Sequence, residues 1–202
     1  MDNSLGEDVV TLQENEAVFE KAFAAYSVVL IGTHEEDGST DLAPKHMITP
    51  LGWDDYFGFV CTPEHSTFQN VKRTEEFTVS YPRPEQIVSV SLSAEPRSGD
   101  DKKPDLNELD TVPATAVEAE CLQDAYIYLE CTLEGISQDF GENNLIAGNI
   151  VAKHVHSDAL RSTDRDDNDV INQNPLLTYL HPGRYSTIDD SNAFPFPKDF
   201  HR

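Results

Sequence analysis

At 202 residues, with 37 acids, 14 bases and a net charge of −23, the chain has the length of one domain and enough sequence for a sizeable core. That charge excludes the basic footprint which DNA or RNA binding requires, and no apolar run reaches bilayer length, so no membrane span is expected. The acids recur from Asp2 to Asp199 through segments that also carry strand patterns, so the chain reads as folded and self-repelling; a salt-adapted (halophilic) cytoplasm, where the Debye length falls to about 3 Å, is the expected setting, with an ordinary acidic protein and acidic partners as the alternative.

Residues 8–25 read as a lead-in segment followed by a helix: Val18, Ala22 and Ala25, with Phe19 and Phe23, fall at helical spacing, and Glu14, Glu16 and Glu20 lie in the early turns. Residues 26–33 read as a fully apolar strand. Glu35-Glu36-Asp37-Gly38 is a hairpin turn in which glycine supplies the awkward dihedral. Residues 40–48 return as a second strand, and 56–61 make a third that is rich in aromatics. His65-Ser66-Thr67-Phe68-Gln69-Asn70 then opens a short helix, and residues 76–81 form a fourth strand bounded by Pro82 and Pro84.

From 93 to 115 the pattern fails. Residues 98–104 read as a polar loop and 105–109 as one helical turn; a solvated excursion is favoured over a functional lid. Strands are predicted over 125–133 and 144–156, an acidic loop over 158–169, a short helix over 175–180 and a last strand over 184–188. Phe194-Pro195-Phe196-Pro197 cannot pair as a central strand and is expected to lie along the surface or a partner subunit. Short strands with turn signals and few helices indicate a mainly β fold, a closed or nearly closed antiparallel barrel of Greek-key-like order. The whole of 1–202 reads as a single domain with peripheral tails at 1–12 and 190–202.

Met1-Asp2-Asn3-Ser4 does not begin a secretory signal, so a cytoplasmic location is expected. Cys61, Cys121 and Cys131 are odd in number and lack metal-ligand spacing, which predicts buried, reduced thiols. Thr62, Ser66, Thr67 and Asn70 surround the start of a helix, where open N–H groups and partial positive charge receive an anion and hydroxyls add donors. On the residues alone, plain N-capping by Ser66 or Thr67 is the simpler account. Lys72 and Arg73 support a phosphate or sit at a helix C-terminus, where cations are also favoured.

His154 and His156 share a strand face but lack a third ligand, so a surface pair is expected before a pocket-edge role, and a metal last. Tyr185 is expected to pack in the core, with contact to a neighbouring subunit as the alternative. Trp53 and Tyr56 are placed in a loop between strands. No G-x-G-x-x-G, G-x-S-x-G or H-E-x-x-H is present.

The order Val28-Val29-Leu30-Ile31-Gly32-Thr33, Asp37-Gly38, Leu42-Ala43-Pro44, Ser66-Thr67-x-x-Asn70 and Glu76-Phe77-Thr78-Val79 resembles the flavin reductase-like family of FMN-binding split barrels. Leu129-Glu130-Cys131-Thr132-Leu133, Ile146-Ala147-Gly148-Asn149-Ile150-Val151 and Gly183-Arg184-Tyr185-Ser186 continue the likeness, which spans residues 25–188. The resemblance implies a homodimer that binds FMN, or FAD in some members, at the subunit interface. It implies hydride transfer from NADH or NADPH to flavin, with a partner enzyme as one acceptor. It turns Thr62, Ser66, Thr67 and Asn70 into the phosphate seat. It places Ala43, Pro44, Lys45 and His46 along the isoalloxazine, where Lys45 would favour the reduced, anionic flavin. Two residues depart from the family pattern: Asp41 stands where members usually have Asn, and His46 where a small hydroxyl is common. A non-turnover flavin electron carrier and a cofactor-less interaction module are the other readings.

Overall fold

The computed structural model describes residues 6–94 and 109–198. In chain order its strands are β1 (Ala24–Ser27), β2 (Val29–His34), β3 (Thr40–Lys45), β4 (Ile48–Pro50), β5 (Tyr56–Cys61), β6 (Glu76–Tyr81), β7 (Thr111–Pro113), β8 (Glu120–Leu122), β9 (Ile127–Phe140), β10 (Asn143–Val155), β11 (Leu176–His181) and β12 (Arg184–Ile188). The helices are short: α1 (Val18–Lys21), α2 (Ser66–Thr74), α3 (Ile87–Ser93) and α4 (Asp167–Gln173).

Seven strands form one sheet in the order β3-β2-β6-β9-β10-β5-β4, a second sheet runs β1-β11-β12, and β7 pairs with β8. Every pairing is antiparallel, and the neighbours β6–β9 and β10–β5 skip along the chain. The large sheet curls into a half-barrel around Val29, Ile31, Phe57, Phe59, Phe77, Val79, Cys131 and Ile146.

β2 shows why the sheet holds together. Successive side chains of a strand point to opposite faces. Val29 and Ile31 enter the barrel core, while Leu30 meets Leu42, Leu109 and Leu122 in a second cluster. Both faces are covered, so the strand reads as a continuous apolar run. The turn after it forms as expected: the Glu35 N–H donates to Ser39 O, and Gly38 takes a φ of 82°. α2 closes one end of the barrel with Phe68 and Val71, leaves Gln69, Lys72 and Arg73 outside, and stops at Glu75 in the left-handed region.

Four expectations need correction. The helix anticipated before residue 25 shrinks to the single turn α1, with Val18, Phe19 and Phe23 exposed, because the spacing has no surface to pack on. Residues 175–180 are not helical; Leu176–His181 is strand β11, held on both sides by β1 and β12. Part of the acidic stretch after residue 158 is helix α4, whose start is capped by Asp166 accepting from the N–H groups of Asn168 and Asp169. Tyr185 is not in the core: it is 58% exposed, and all five residues of β12 lie open.

Two predicted strands are also divided. The run from Tyr26 splits at Val28 into β1 and β2, and the return run splits into β3 and β4. The loop expected over 98–104 and, apart from Leu109, the helical turn expected over 105–109 lie outside the described residues. Trp53 is 89% exposed, and the rings of Phe194 and Phe196 pack on each other 4.5 Å apart on the surface. Arg83 ties this periphery together: it donates to Asp124 O, to Asn174 Oδ1 at 2.8 Å and to Asp158 Oδ1 at 3.0 Å. The three cysteines are free and buried, and burial pushes the Cys131 thiol up to about 12.

Candidate functional site

The turn after β5 and the first turns of α2 carry four of the expected site residues, and they point in two directions. Thr67 and Asn70 point inward. Thr67, 2% exposed, donates its hydroxyl to Asp41 Oδ2 at 3.3 Å, and Asn70, 4% exposed, donates to Thr33 Oγ1 at 3.1 Å. Asp41 therefore sets a buried carboxylate against the first turn of α2, where the helix dipole favours negative charge. Thr62 and Ser66 are half-buried. Thr62 Oγ1 donates to Asn143 Oδ1 at 3.2 Å, and the Ser66 hydroxyl makes no hydrogen bond among the described residues.

The end of α2 is open. Its N-cap, His65, has extended backbone and makes no side-chain cap bond, and the first turn holds no acid. The N–H groups of Phe68 and Gln69 close on His65 O. The remaining first-turn donors suit an anion arriving from the Ser66 side, which is the fit a phosphate requires. Arg73 is committed elsewhere, to His34 O and Asn70 Oδ1.

β3 supplies the second half of the site. Ala43 pairs with Ile31, Pro44 with Leu30 and Lys45 with Val29. Asp41, Ala43 and Lys45 share one face by alternation, and this face meets α2 through the Asp41–Thr67 bond. Lys45 also acts on Cys61, whose thiol burial raises and Lys45 partly lowers. Cys61 Sγ lies 4.0 Å from His65 Nδ1.

His46 turns the other way, into an aromatic cluster. Its ring lies 5.6 Å from Tyr26, 4.6 Å from Tyr179 and 5.6 Å from His181, onto which it stacks. His46 Nε2 and His181 Nδ1 are buried without partners, while His181 Nε2 meets Glu20 Oε1 at 3.1 Å.

Burial, then the charges of His181 and Lys45, hold the His46 imidazole below its ordinary range. A base with a depressed folded pKa contributes stability that is complete above the unfolded value and lost as pH falls through the folded one. Thermal melting is therefore expected to weaken on acidification below pH about 6.5. A His46→Phe variant, which keeps the ring packing, should weaken less between pH 7 and pH 5; equal losses in the two proteins would refute this role.

A cleft of about 650 Å³ adjoins the open end of α2. It begins at Thr62 and runs along the outer face of the helix, past Gln69 to Lys72, with the β9–β10 hairpin as its far wall. No local pattern marks this wall, because Thr62 and its partner Asn143 are 81 positions apart.

Glu130 was also passed over. It is 1% exposed inside β9, and its carboxylate accepts from the backbone N–H groups of Thr115, Ala116 and Val117. A carboxylate within an apolar strand, Leu129-Glu130-Cys131, was the available signal, since a buried charge must be partnered. His154 Nε2 meets this carboxylate at 3.0 Å, and His156 Nδ1 meets Asp158 Oδ1 at 2.7 Å. Among the described residues no three His, Cys, Asp or Glu side chains are placed to hold a metal ion, and no helix is long and apolar enough to cross a membrane.

A family model described as Flavin reductase like domain matches residues 22–189. The chain is 28% identical over 178 residues to an uncharacterised protein of Methanothermobacter thermautotrophicus, covering 83% of this chain and 81% of that protein. Among solved structures it resembles nitrilotriacetate monooxygenase component B from Bacillus cereus, with a TM-score of 0.78 and 14% identity over 94% of this chain and 100% of that one. It also resembles an FMN-binding protein from Thermus thermophilus, with a TM-score of 0.74 and 20% identity over 92% of this chain and 98% of that one. These structures share its fold, the split barrel.

Proposed function

This chain belongs to the flavin reductase like family, and from that membership and its site we propose that it is an FMN-binding oxidoreductase, reducing flavin with NADH or NADPH. The observation that carries the reading is the start of α2, which lacks a side-chain cap, with the Ser66 hydroxyl, which makes no hydrogen bond among the described residues, beside Thr62. Ser66, Thr62 and the first-turn N–H groups would hold the phosphate. Ala43 and Pro44 would give the flat ring a wall of backbone and small side chains, and Lys45 would set positive charge near its edge. Thr67 and Asn70 would act from beneath, bracing α2 against β2 and β3. When bound, the flavin supplies the hydride acceptor; the chain's own residues orient it and exclude water.

The acceptor beyond flavin is a small molecule or a partner enzyme. A homodimer is part of the proposal. β12 is open along its whole length, and Tyr185, Ile188, Val151 and Val155 are exposed apolar residues that a second copy would cover. The net charge of −23 further suggests a protein adapted to molar salt.

Titration of FMN into apoprotein in molar KCl, followed by NADH or NADPH without oxygen, tests the reading. A yellow complex that bleaches with a nicotinamide supports the enzyme; a yellow complex inert to both supports an electron carrier; protein that takes up no FMN removes the flavin assignment. The seat itself is tested by Ser66→Asp. An acid at the start of a helix favours folding, yet it repels a phosphate. FMN affinity should fall about 10- to 100-fold, equivalent to roughly 1.4–2.8 kcal/mol. Riboflavin, which lacks the phosphate, should bind both proteins alike, and an equal loss for riboflavin would place the phosphate elsewhere.

A further inference from the structure

Two histidines end in buried ring nitrogens that nothing completes. His46 Nε2 and His181 Nδ1 have no hydrogen-bond partner among the described residues, and both belong to one packed group of rings. The His46 ring lies 4.6 Å from Tyr179, 5.6 Å from Tyr26 and 5.6 Å from His181, and Tyr179 lies 5.9 Å from His181. A buried polar atom left unpaired costs free energy, so this packing is held against a penalty that water would relieve on entering.

The group joins separate pieces of chain. His46 follows β3, Tyr179 and His181 belong to β11, and Tyr26 belongs to β1, which α1 precedes. The anchors of this leading segment are slight. No residue of α1 is buried. Phe19 meets the edge of Tyr26 at 6.4 Å, and Glu20 Oε1 meets His181 Nε2 at 3.1 Å. β1 stands at the edge of its sheet, paired with β11. The rings therefore fasten α1 and β1 to the end of β3.

Acid changes what the group can hold. Glu20 faces His181 Nε2, so in the neutral ring that nitrogen carries the proton and Nδ1 is a bare acceptor. A further proton goes to Nδ1. Charged His46 likewise carries N–H at both nitrogens. With both rings charged, two buried N–H groups lack acceptors and two positive charges stand 5.6 Å apart. Lys45 adds a third positive charge that acts on His46. Glu20 returns one carboxylate, through His181, while Asp41 on β3 is turned to Thr67 of α2. Tyr26 and Tyr179 complete the group with phenol rings.

We propose that this group is an acid-released latch. With neutral imidazoles it holds α1 and β1 against the end of β3; when both imidazoles take protons, the segment through Ser27 lets go while the large sheet stays folded. The latch needs no ligand, so it stands or falls apart from the flavin reading. It adjoins the wall proposed for the flavin ring, because His46 directly follows Pro44 and Lys45.

Hydrogen exchange of the full chain in molar KCl tests this, read at pH 7.5 and pH 5.5 and corrected for the intrinsic effect of pH on exchange. This interval spans the imidazole range and leaves most carboxylates ionised. Opening of the β1 amides is expected to increase about tenfold or more in acid, and to be insensitive to urea below the unfolding transition, the mark of local release. The β6 amides should exchange more slowly and keep a strong urea dependence. His46→Phe, which keeps a ring in place, should remove most of the acid response of β1, and His181→Phe is the second variant that should do so. Glu20→Gln, which withdraws the counter-charge, should move the response to higher pH. Melting temperatures identify a variant that packs poorly. β1 and β6 exchanging together with one urea dependence would show that acid acts by global unfolding and would overturn the latch. An acid response of β1 that survives in both histidine variants overturns it as well.

Discussion

Replacing Gly32 with alanine is expected to destabilise the barrel by about 3 kcal/mol and to lower its melting temperature by roughly 6–12 °C. Gly32 sits on β2 between Leu42 of β3 and Thr78 of β6. A Cβ there would overlap two atoms at once, the backbone oxygen of Glu120 and Thr78 Oγ1. These two atoms are bonded to each other, Thr78 donating its hydroxyl to Glu120 O. Neither retreats easily. Glu120 belongs to β8, which is pinned by the Leu122 N–H donating to Ser80 Oγ at 3.0 Å and by its pairing with β7. Thr78 is fully buried in β6.

The missing side chain is thus what lets the β7–β8 ribbon lie directly on the sheet and seal the cluster of Leu30, Leu42, Leu109 and Leu122. Gly135 on β9 is the control. A Cβ there meets nothing within 4 Å, so Gly135→Ala should shift stability by no more than about 0.5 kcal/mol. Melting curves of the two variants beside the parent decide the matter, and similar curves for both would mean that the ribbon does not press on Gly32.

The same ribbon shows what a sequence reading can reach. The apolar run of β2, its Glu35–Gly38 turn and the aromatic strand β5 were legible because each is specified locally, by β-branched and aromatic residues or by a glycine with positive φ. β11 was misread because Leu176-Leu177-Thr178-Tyr179-Leu180 is a short apolar run with no local preference; its state is decided by β1, some 150 residues earlier in the register Ala24↔His181. α1 failed for the opposite reason: helical spacing was present, but no partner face was. At the site, the residue types around Ser66 were legible and their directions were not. Thr67 and Asn70 face inward only because Asp41 and Thr33, 26 and 37 positions away, wait beneath them. The open face left to Ser66 and Thr62 is a consequence of that long-range pairing, as is the cleft beside it.

Glu130→Gln is expected to cost about 3 kcal/mol at pH 7, and the cost should vanish in acid. Burial alone would raise this carboxyl, but the N–H groups of Thr115 and Ala116, the Thr115 hydroxyl and His154 outweigh it and hold the group at about 2. The Glu130 oxygens receive three consecutive backbone donors, a concave arrangement suited to an anion. A glutamine offers one acceptor and turns an NH2 toward those same donors. Because the folded value lies below the unfolded one, the stabilisation is complete above pH about 4.5 and is lost as pH falls toward 2. Urea titrations of parent and variant should therefore differ most at neutral pH and converge near pH 2.

His154→Ala should change little, because that imidazole is 47% exposed and its pairing is shared with water. The comparison of the parent with Glu130→Gln also separates two kinds of electrostatics in this chain. Surface repulsion among 37 acids is screened by molar salt, but a carboxylate 1% exposed is not reached by it. The gap between parent and Glu130→Gln should persist in molar KCl while both proteins gain stability together. A gap that closes with added salt would mean that Glu130 contributes through general charge balance, and that the backbone donors of residues 115–117 are not what it holds.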